Sequence, residues 1–326
     1  MRNWSVFVPL ALCGAVLGAS TLTWSGDLDL PSSWAASRIP KWTHGALMVV
    51  QFHDSTSPLV WIAEPKRTYS IPFSIPGATA TYVYDWDRSA DGTAVALTGS
   101  AMDKDGRGAY FIAQIPVNGG EPLIIRDPAY RPRRIVFAAD GTLWTAGSEP
   151  RTAANAGIFR HFDRTGKQLG AFVPQGRFAD PLVPTDMMSR LMAASDRIGW
   201  YSPRGSSYIE LAADGRILTD IALAPPADDS GGYGMTLTRT GTLFISSERR
   251  TVTASGQSPV YTWEISSLNR TTNAWNPVLQ RTRQEHEPWL SSPAQFAHVL
   301  GMESGPTGDQ LVLSGRDKAM FFSLAP

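Results

Sequence analysis

With 326 residues, 43% of them hydrophobic and only 18% charged, the chain has apolar material for a sizeable core in one large domain or two ordinary ones. Lysine plus arginine equals aspartate plus glutamate at 29 each, which excludes the basic footprint of a nucleic-acid binder and the charge excess of a disordered tail. The 29 glycines and 24 prolines point to many tight turns between short elements.

At the N-terminus, Arg2 precedes an apolar run from Trp4 to Leu17, which ends in Gly18, Ala19 and Ser20. A positive residue, an apolar stretch and small residues in that order predict a secretory signal peptide over residues 1–20. The run is shorter than the roughly 20 residues that span a bilayer, so cleavage is favoured and an uncleaved anchor is the alternative. Once cleaved, the chain carries no transmembrane span. Cys13 is the single cysteine and lies inside this segment, with Leu12 standing where a lipid-attachment motif wants a small residue. The mature chain therefore has no disulfide, no thiolate metal site and no cysteine nucleophile. Export without disulfides fits a periplasmic or secreted bacterial protein, read here as a monomer.

Beyond residue 20 the chain repeats itself. His44-Gly45 precedes the apolar run Ala46 to Val50, and Ala90-Asp91-Gly92-Thr93 precedes Ala94 to Leu97. Ala139-Asp140-Gly141-Thr142 leads into Leu143 to Ala146, and Asp196-Arg197 into Ile198 to Tyr201. Arg239-Thr240-Gly241-Thr242 and Pro306-Thr307-Gly308-Asp309 introduce Leu243 to Ser246 and Gln310 to Leu313. Each copy joins a turn that needs a positive φ to a short apolar strand, and in most copies a second hairpin follows. The clearest second hairpin runs from Ile158 to Asp163, turns at Arg164-Thr165-Gly166-Lys167 and returns through Val173. Four strands per unit, at a spacing of roughly 45 to 65 residues, is the rhythm of propeller blades.

The chain is accordingly predicted to be all-β: a six-bladed β-propeller of four-stranded antiparallel blades, forming one domain over residues 21–326. The blades are read as 36–77, 78–127, 130–175, 184–224, 232–280 and 295–326. The last unit stops after three strands, and a strand within Trp24 to Leu30 is expected to complete it and close the ring. Two segments, Met187 to Ala194 and Ala294 to Leu300, have helical propensity as an alternative to strand.

The Asp-Gly-Thr turns and the hairpin Phe162-Asp163-Arg164-Thr165-Gly166-Lys167 resemble six-bladed propellers of the broad NHL, gluconolactonase-like and TolB-like group. The resemblance covers most of the mature chain and implies the fold; it does not imply an activity. The gluconolactonase-like members hold a divalent metal with a Glu, an Asn and an Asp in the channel, and those positions have no one-to-one match in this chain.

Functional residues are sought in charged segments read as loops, because irregular loops on a rigid scaffold concentrate binding groups. These include His53-Asp54, Asp103 and Asp105 in the run Asp103 to Arg107, Glu149 with Arg151, and Glu248-Arg249-Arg250. The connections between blades add Arg131, Arg133 and Arg134, then Asp228-Asp229, then Arg281 to Glu287 with His286. The candidate ligand-binding face is therefore Asp103, Asp105, Arg133, Arg134, Arg249, Arg250 and His286. Asp103 to Gly108 has the alternating carboxylates of a calcium loop but lacks its closing Glu, so an ordinary hairpin tip is the preferred reading. No HExxH, Gly-x-Ser-x-Gly or phosphate-cradling glycine loop occurs. Trp61, Trp86, Trp144, Trp200 and Trp263 recur at similar places in the blades and are read as packing between them. Asn269-Arg270-Thr271 matches an N-glycosylation pattern, which matters only in a eukaryotic secretory pathway.

Two functions follow. The leading one is a non-enzymatic binding module, with no cofactor, for a protein, peptide or glycan. The alternative is a metal-dependent hydrolase or lyase at the channel mouth, with a divalent cation such as Ca²⁺ on Asp85, Asp87, His298 and Glu303.

Overall fold

The computed structural model describes residues 22–29, 40–51, 58–150, 153–226, 234–251, 260–284, 299–305, 308–314 and 318–324. The first described strand, β1 (Leu22–Asp29), does not pair with its successor in sequence. Blade one is built from β2 (Lys41–Thr43), β3 (Ala46–Gln51), β4 (Leu59–Glu64) and β5 (Arg67–Pro72). Blade two follows with β6 (Ala80–Arg88), β7 (Ala94–Met102), β8 (Gly108–Pro116) and β9 (Leu123–Ile125). Blade three contains β10 (Arg131–Phe137), β11 (Leu143–Ser148), β12 (Gly157–Phe162) and β13 (Gln168–Pro174). Blade four contains β14 (Arg190–Ala193), β15 (Arg197–Ser202), β16 (Ser207–Ala212) and β17 (Ile217–Ala222). Blade five contains β18 (Met235–Leu237), β19 (Leu243–Thr251), β20 (Val260–Asn269) and β21 (Ala274–Gln284). Blade six has β22 (Val299–Gly305), β23 (Gly308–Ser314) and β24 (Lys318–Leu324), and β1 is its fourth strand. The chain is a six-bladed β-propeller.

Ring closure is an antiparallel pairing of β1 with β24, from Leu22 opposite Leu324 to Asp29 opposite Lys318. It covers the edge that three strands alone would leave open.

The repeated turns fold as their composition requires. In the Asp140 turn the carboxylate accepts the backbone N–H of Thr142 at 2.9 Å and its hydroxyl at 2.7 Å. Gly141 supplies a φ of +80° that a side chain rarely tolerates. Asp91 and Asp163 hold Thr93 and Thr165 in the same way.

The core lies between blades rather than within them. Along β3, Ala46, Met48 and Val50 pack against blade two, while Leu47 and Val49 join Ala319 and Val312 of blade six. Both faces of the strand are therefore apolar, which explains why these strands read as unbroken hydrophobic runs rather than as an alternation. The same division excludes the helical alternative at Met187 to Ala194. Residues Arg190–Ala193 form β14, in which Leu191 packs towards blade three and Met192 towards blade five, the two faces of a strand. At the other helical candidate, Val299 and Leu300 belong to β22, and residues 294–298 lie outside the described set. Among the described residues no helix is long and apolar enough to cross a membrane.

Trp86, Trp144, Trp200 and Trp263 are buried in these inter-blade layers, and Trp61 packs partly buried against the layer between blades six and one. Trp144 stacks on His161 with ring centroids 4.3 Å apart, and burial pushes the imidazole pKa down, towards the neutral form.

Blades four and five are joined by Glu210 on β16, whose side chain is 0% exposed. It accepts from Arg270, from the Tyr208 hydroxyl at 2.6 Å and from Thr219 at 2.9 Å. Burial alone raises the carboxyl pKa, but the bonds from Arg270, Tyr208 and Thr219 outweigh it and hold the group below its ordinary value. A depressed carboxyl pKa contributes stability that is present above the unfolded value and is lost as pH falls through the folded one. Glu210→Ala is therefore expected to lower unfolding free energy by roughly 3 kcal/mol in urea titrations at neutral pH. That deficit relative to wild type should shrink as the titrations are repeated in acid, below the ordinary glutamate range.

Candidate functional site

The six innermost strands, β2, β6, β10, β14, β18 and β22, surround the ring axis, and the space between them is a cavity of about 860 Å³. Three of these strands carry an irregularity at a comparable level. The register slips by one residue at Tyr84 in β6, at Arg133 in β10 and at Leu300 in β22. Such bulges re-aim side chains, and here the Arg133 guanidinium lies over the Tyr84 ring at 4.3 Å. The second strands accommodate the close approach with glycine. A Cβ on Gly99 would stand 2.1 Å from the Tyr82 carbonyl oxygen, and one on Gly147 would stand 2.3 Å from that of Arg131.

One layer of the wall is charged. Asp85, Arg134 and Arg190 each stand three residues before the end of their inner strand, at Arg88, Phe137 and Ala193. Lys41 joins them from blade one. Its ammonium donates to the Trp86 carbonyl at 2.9 Å and lies 3.9 Å from Asp85 and 3.7 Å from Asp87. Blades four to six complete the lining mainly with apolar groups, among them Leu191, Met235, Leu237, Val299 and Met302, together with the ion pair of Arg239 and Asp309 at 2.9 Å.

The two carboxylates are structural acceptors. Asp85 takes the backbone N–H of Ile135 at 3.0 Å, and Asp87 takes that of Phe137 at 2.7 Å. Asp87 also accepts the Thr43 hydroxyl at 2.6 Å and is only 2% exposed, so one side chain ties blades one, two and three together.

The arginines bridge the next junction. Arg134, 5% exposed, donates Nε to the Ser189 carbonyl at 2.6 Å and a second nitrogen to that of Met187. Arg190 donates Nη1 to the same Ser189 carbonyl at 2.8 Å and to Met188 at 3.4 Å. Burial, and then the neighbouring charge of Arg134, pushes the pKa of Arg190 down to about 10, against the opposing pull of Asp85 and Asp186.

The structure places the sequence-predicted residues at separate sites. Arg131, Arg133 and Arg134 belong to the inner strand β10, not to the connection between blades, since β10 pairs with β11 from Arg131 opposite Ser148 onwards. Arg249 and Arg250 lie within β19 rather than in a loop, since β19 pairs with β20 as far as Thr251 opposite Val260, and Arg249 is exposed. Asp103 and Asp105 occupy the tip of the β7–β8 hairpin. There the Asp103 carboxylate accepts the backbone N–H groups of Asp105 and Arg107, both at 2.9 Å, as in an ordinary turn. Asp105 pairs with Lys104 on the surface. His286 and His298 lie outside the described residues, and Glu303 lies on β22. Of the proposed metal ligands, Asp85 and Asp87 alone are seen together, and among the described residues no three His, Cys, Asp or Glu side chains group to hold a metal.

Sequence reasoning missed Lys41 and Arg190. Their signal is positional: both stand just before a repeated turn, on the strand nearest the axis.

No protein-family description and no curated protein matches the chain. Solved structures do. A putative oxidoreductase (glucose dehydrogenase) from Thermus thermophilus aligns over 93% of this chain and 100% of its own, with 12% identity and a TM-score of 0.45. A protein of unknown function from Bacteroides caccae aligns over 79% and 78%, with 12% identity and a TM-score of 0.42. An oligogalacturonate lyase from Vibrio parahaemolyticus aligns over 94% and 97%, with 8% identity and a TM-score of 0.39. At such identities each neighbour's activity stays its own.

Asp87→Ala leaves two buried donors, the Phe137 N–H and the Thr43 hydroxyl, without their acceptor. The expected cost is about 2–4 kcal/mol in chemical denaturation, with Asp87→Asn losing clearly less.

Proposed function

We propose that this chain is an exported, non-enzymatic binding module that takes its ligand into the axial channel. One observation carries the reading: the carboxylates that line the channel, Asp85, Asp87 and Asp309, are each engaged with a neighbouring blade, whereas Arg190 keeps donors free beside apolar side chains. Acid–base or metal-assisted chemistry needs a carboxylate whose oxygens meet substrate, water or metal. Recognition needs donors that orient a ligand and apolar walls that bury it. Lys41 and Arg190 on one side, with Met235, Leu237, Val299 and Met302 on the other, are a wall of that second kind.

The volume narrows the ligand. About 860 Å³ is the size of a small-molecule pocket, and it admits a compact molecule or the end of a peptide or glycan rather than a flat protein epitope. Export rests on the pattern of residues 1–20.

The test is a thermal-shift and calorimetric screen of residues 21–326 against small peptides, sugars and sugar acids. Met187 is 57% exposed and lines the channel, so Met187→Trp narrows it without touching the core. A ligand is expected to stabilise the wild-type protein by about 2.7 kcal/mol at one hundred times its Kd. The Trp variant should lose most of that gain. Turnover of a bound compound, or stabilisation that Met187→Trp leaves intact, would overturn the proposal.

A further inference from the structure

We infer that Arg190 is the anchor for a carboxylate group of the channel ligand, an assignment that rests on the channel reading above. Arg190 and Arg134 stand on adjacent inner strands and converge on one acceptor, the Ser189 carbonyl. Arg134 directs Nε and both terminal nitrogens to backbone carbonyls. Arg190 is different: only its Nη1 is engaged, with the carbonyls of Met188 and Ser189, and no carboxylate lies within ion-pair distance of it among the described residues.

What Arg190 keeps open is the pair of donors on Nε and Nη2. These two N–H groups form one edge of the planar guanidinium, spaced to meet both oxygens of a carboxylate in parallel. The backbone at Met188 and Ser189 holds the opposite side of the group, so the open edge is orientated before any ligand arrives. That spares the side-chain ordering a flexible lysine would require.

Electrostatics favour an anion here. Two guanidiniums repel one another in a partly desolvated wall, and the depressed pKa of Arg190 reflects both burial and the charge of Arg134. Of the two nearby counter-charges, Asp85 is shared with Lys41 at 3.9 Å and the Ile135 N–H at 3.0 Å, and Asp186 accepts the Met188 N–H and the Ser202 hydroxyl, each at 2.9 Å. A ligand carboxylate seated on Arg190 relieves the repulsion, while its apolar portion meets the Met and Leu wall across the channel.

The experiment uses residues 21–326 with citrate and inorganic phosphate as probes. Arg190 is labelled with phenylglyoxal, an arginine-specific reagent, and its modification is followed by peptide mass spectrometry. Citrate is expected to slow labelling of Arg190 several-fold and phosphate to slow it less, with exposed Arg249 unaffected by either. In calorimetry Arg190→Gln is expected to weaken citrate at least ten-fold, and Arg190→Lys, which keeps the charge but not the fork, to restore only part of that loss. Unchanged labelling with both probes overturns the inference. Equal protection by phosphate overturns the carboxylate assignment in favour of a general oxyanion site. A neutral ligand that Met187→Trp excludes, in a protein whose Arg190 ignores citrate, leaves the channel reading standing and removes this one.

Discussion

Each blade ends at the axis in a strand with no further strand beside it, and the backbone donors along that edge face a neighbour set at an angle. Buried N–H groups without an acceptor are costly, so the ring holds only if side chains reach across from the adjacent blade. Asp85 and Asp87 do this for β10, accepting at Ile135 and Phe137, alternate residues that point their N–H groups the same way. Arg134 supplies the converse at the next junction, donating to the carbonyls that lead into β14. Ser246 does it again, where its hydroxyl oxygen accepts the N–H groups of Gly234 and Val299 between blades five and six. The chemistry that remains in the channel is whatever this requirement leaves over.

That subtraction gives the channel its polarity. The acidic side chains are those best suited to capping backbone donors, and they are consumed at the junctions between the first three blades. The cations Lys41 and Arg190 line the channel beside them. Blades five and six contribute methionine, leucine and valine beside Arg239 and Asp309, which neutralise one another, so the net charge and the apolar surface lie on different sides of the wall. A space of that character discriminates by orientation: a ligand must present its acid and its apolar surface on opposite flanks.

The repeat was legible because turns have local causes. An aspartate that holds the N–H two residues on, followed by a glycine at positive φ, leaves the same mark at Asp91, Asp140 and Asp163 whatever surrounds it. Closure by β1 was legible too, since a blade three strands wide leaves an edge in need of a partner. The site was not. Arg133 and Arg134 look like a polar connection, and only the bulge at Arg133 reveals them as an axial strand. Lys41 and Arg190 sit in segments with few local signals, and their place around one cavity depends on an alignment across four blades. Asp85 and Asp87 invite a metal reading from their place near the channel mouth. Their partners, Ile135 and Phe137, lie 50 positions away in the chain, beyond any local pattern.

The pairing of β1 with β24 also has a kinetic meaning. Asp27 opposes Met320, so the contact that closes the ring joins residues nearly the whole chain apart. A contact of such high sequence separation has the largest loop to close among the described strand pairings, and the entropy of closing it is lost before its own contacts repay it. Until then β24 is an open edge and β1 a strand without a partner, the arrangement most prone to pairing with another copy. A chain that emerges N-terminus first must therefore keep its opening strand waiting until the closing one arrives.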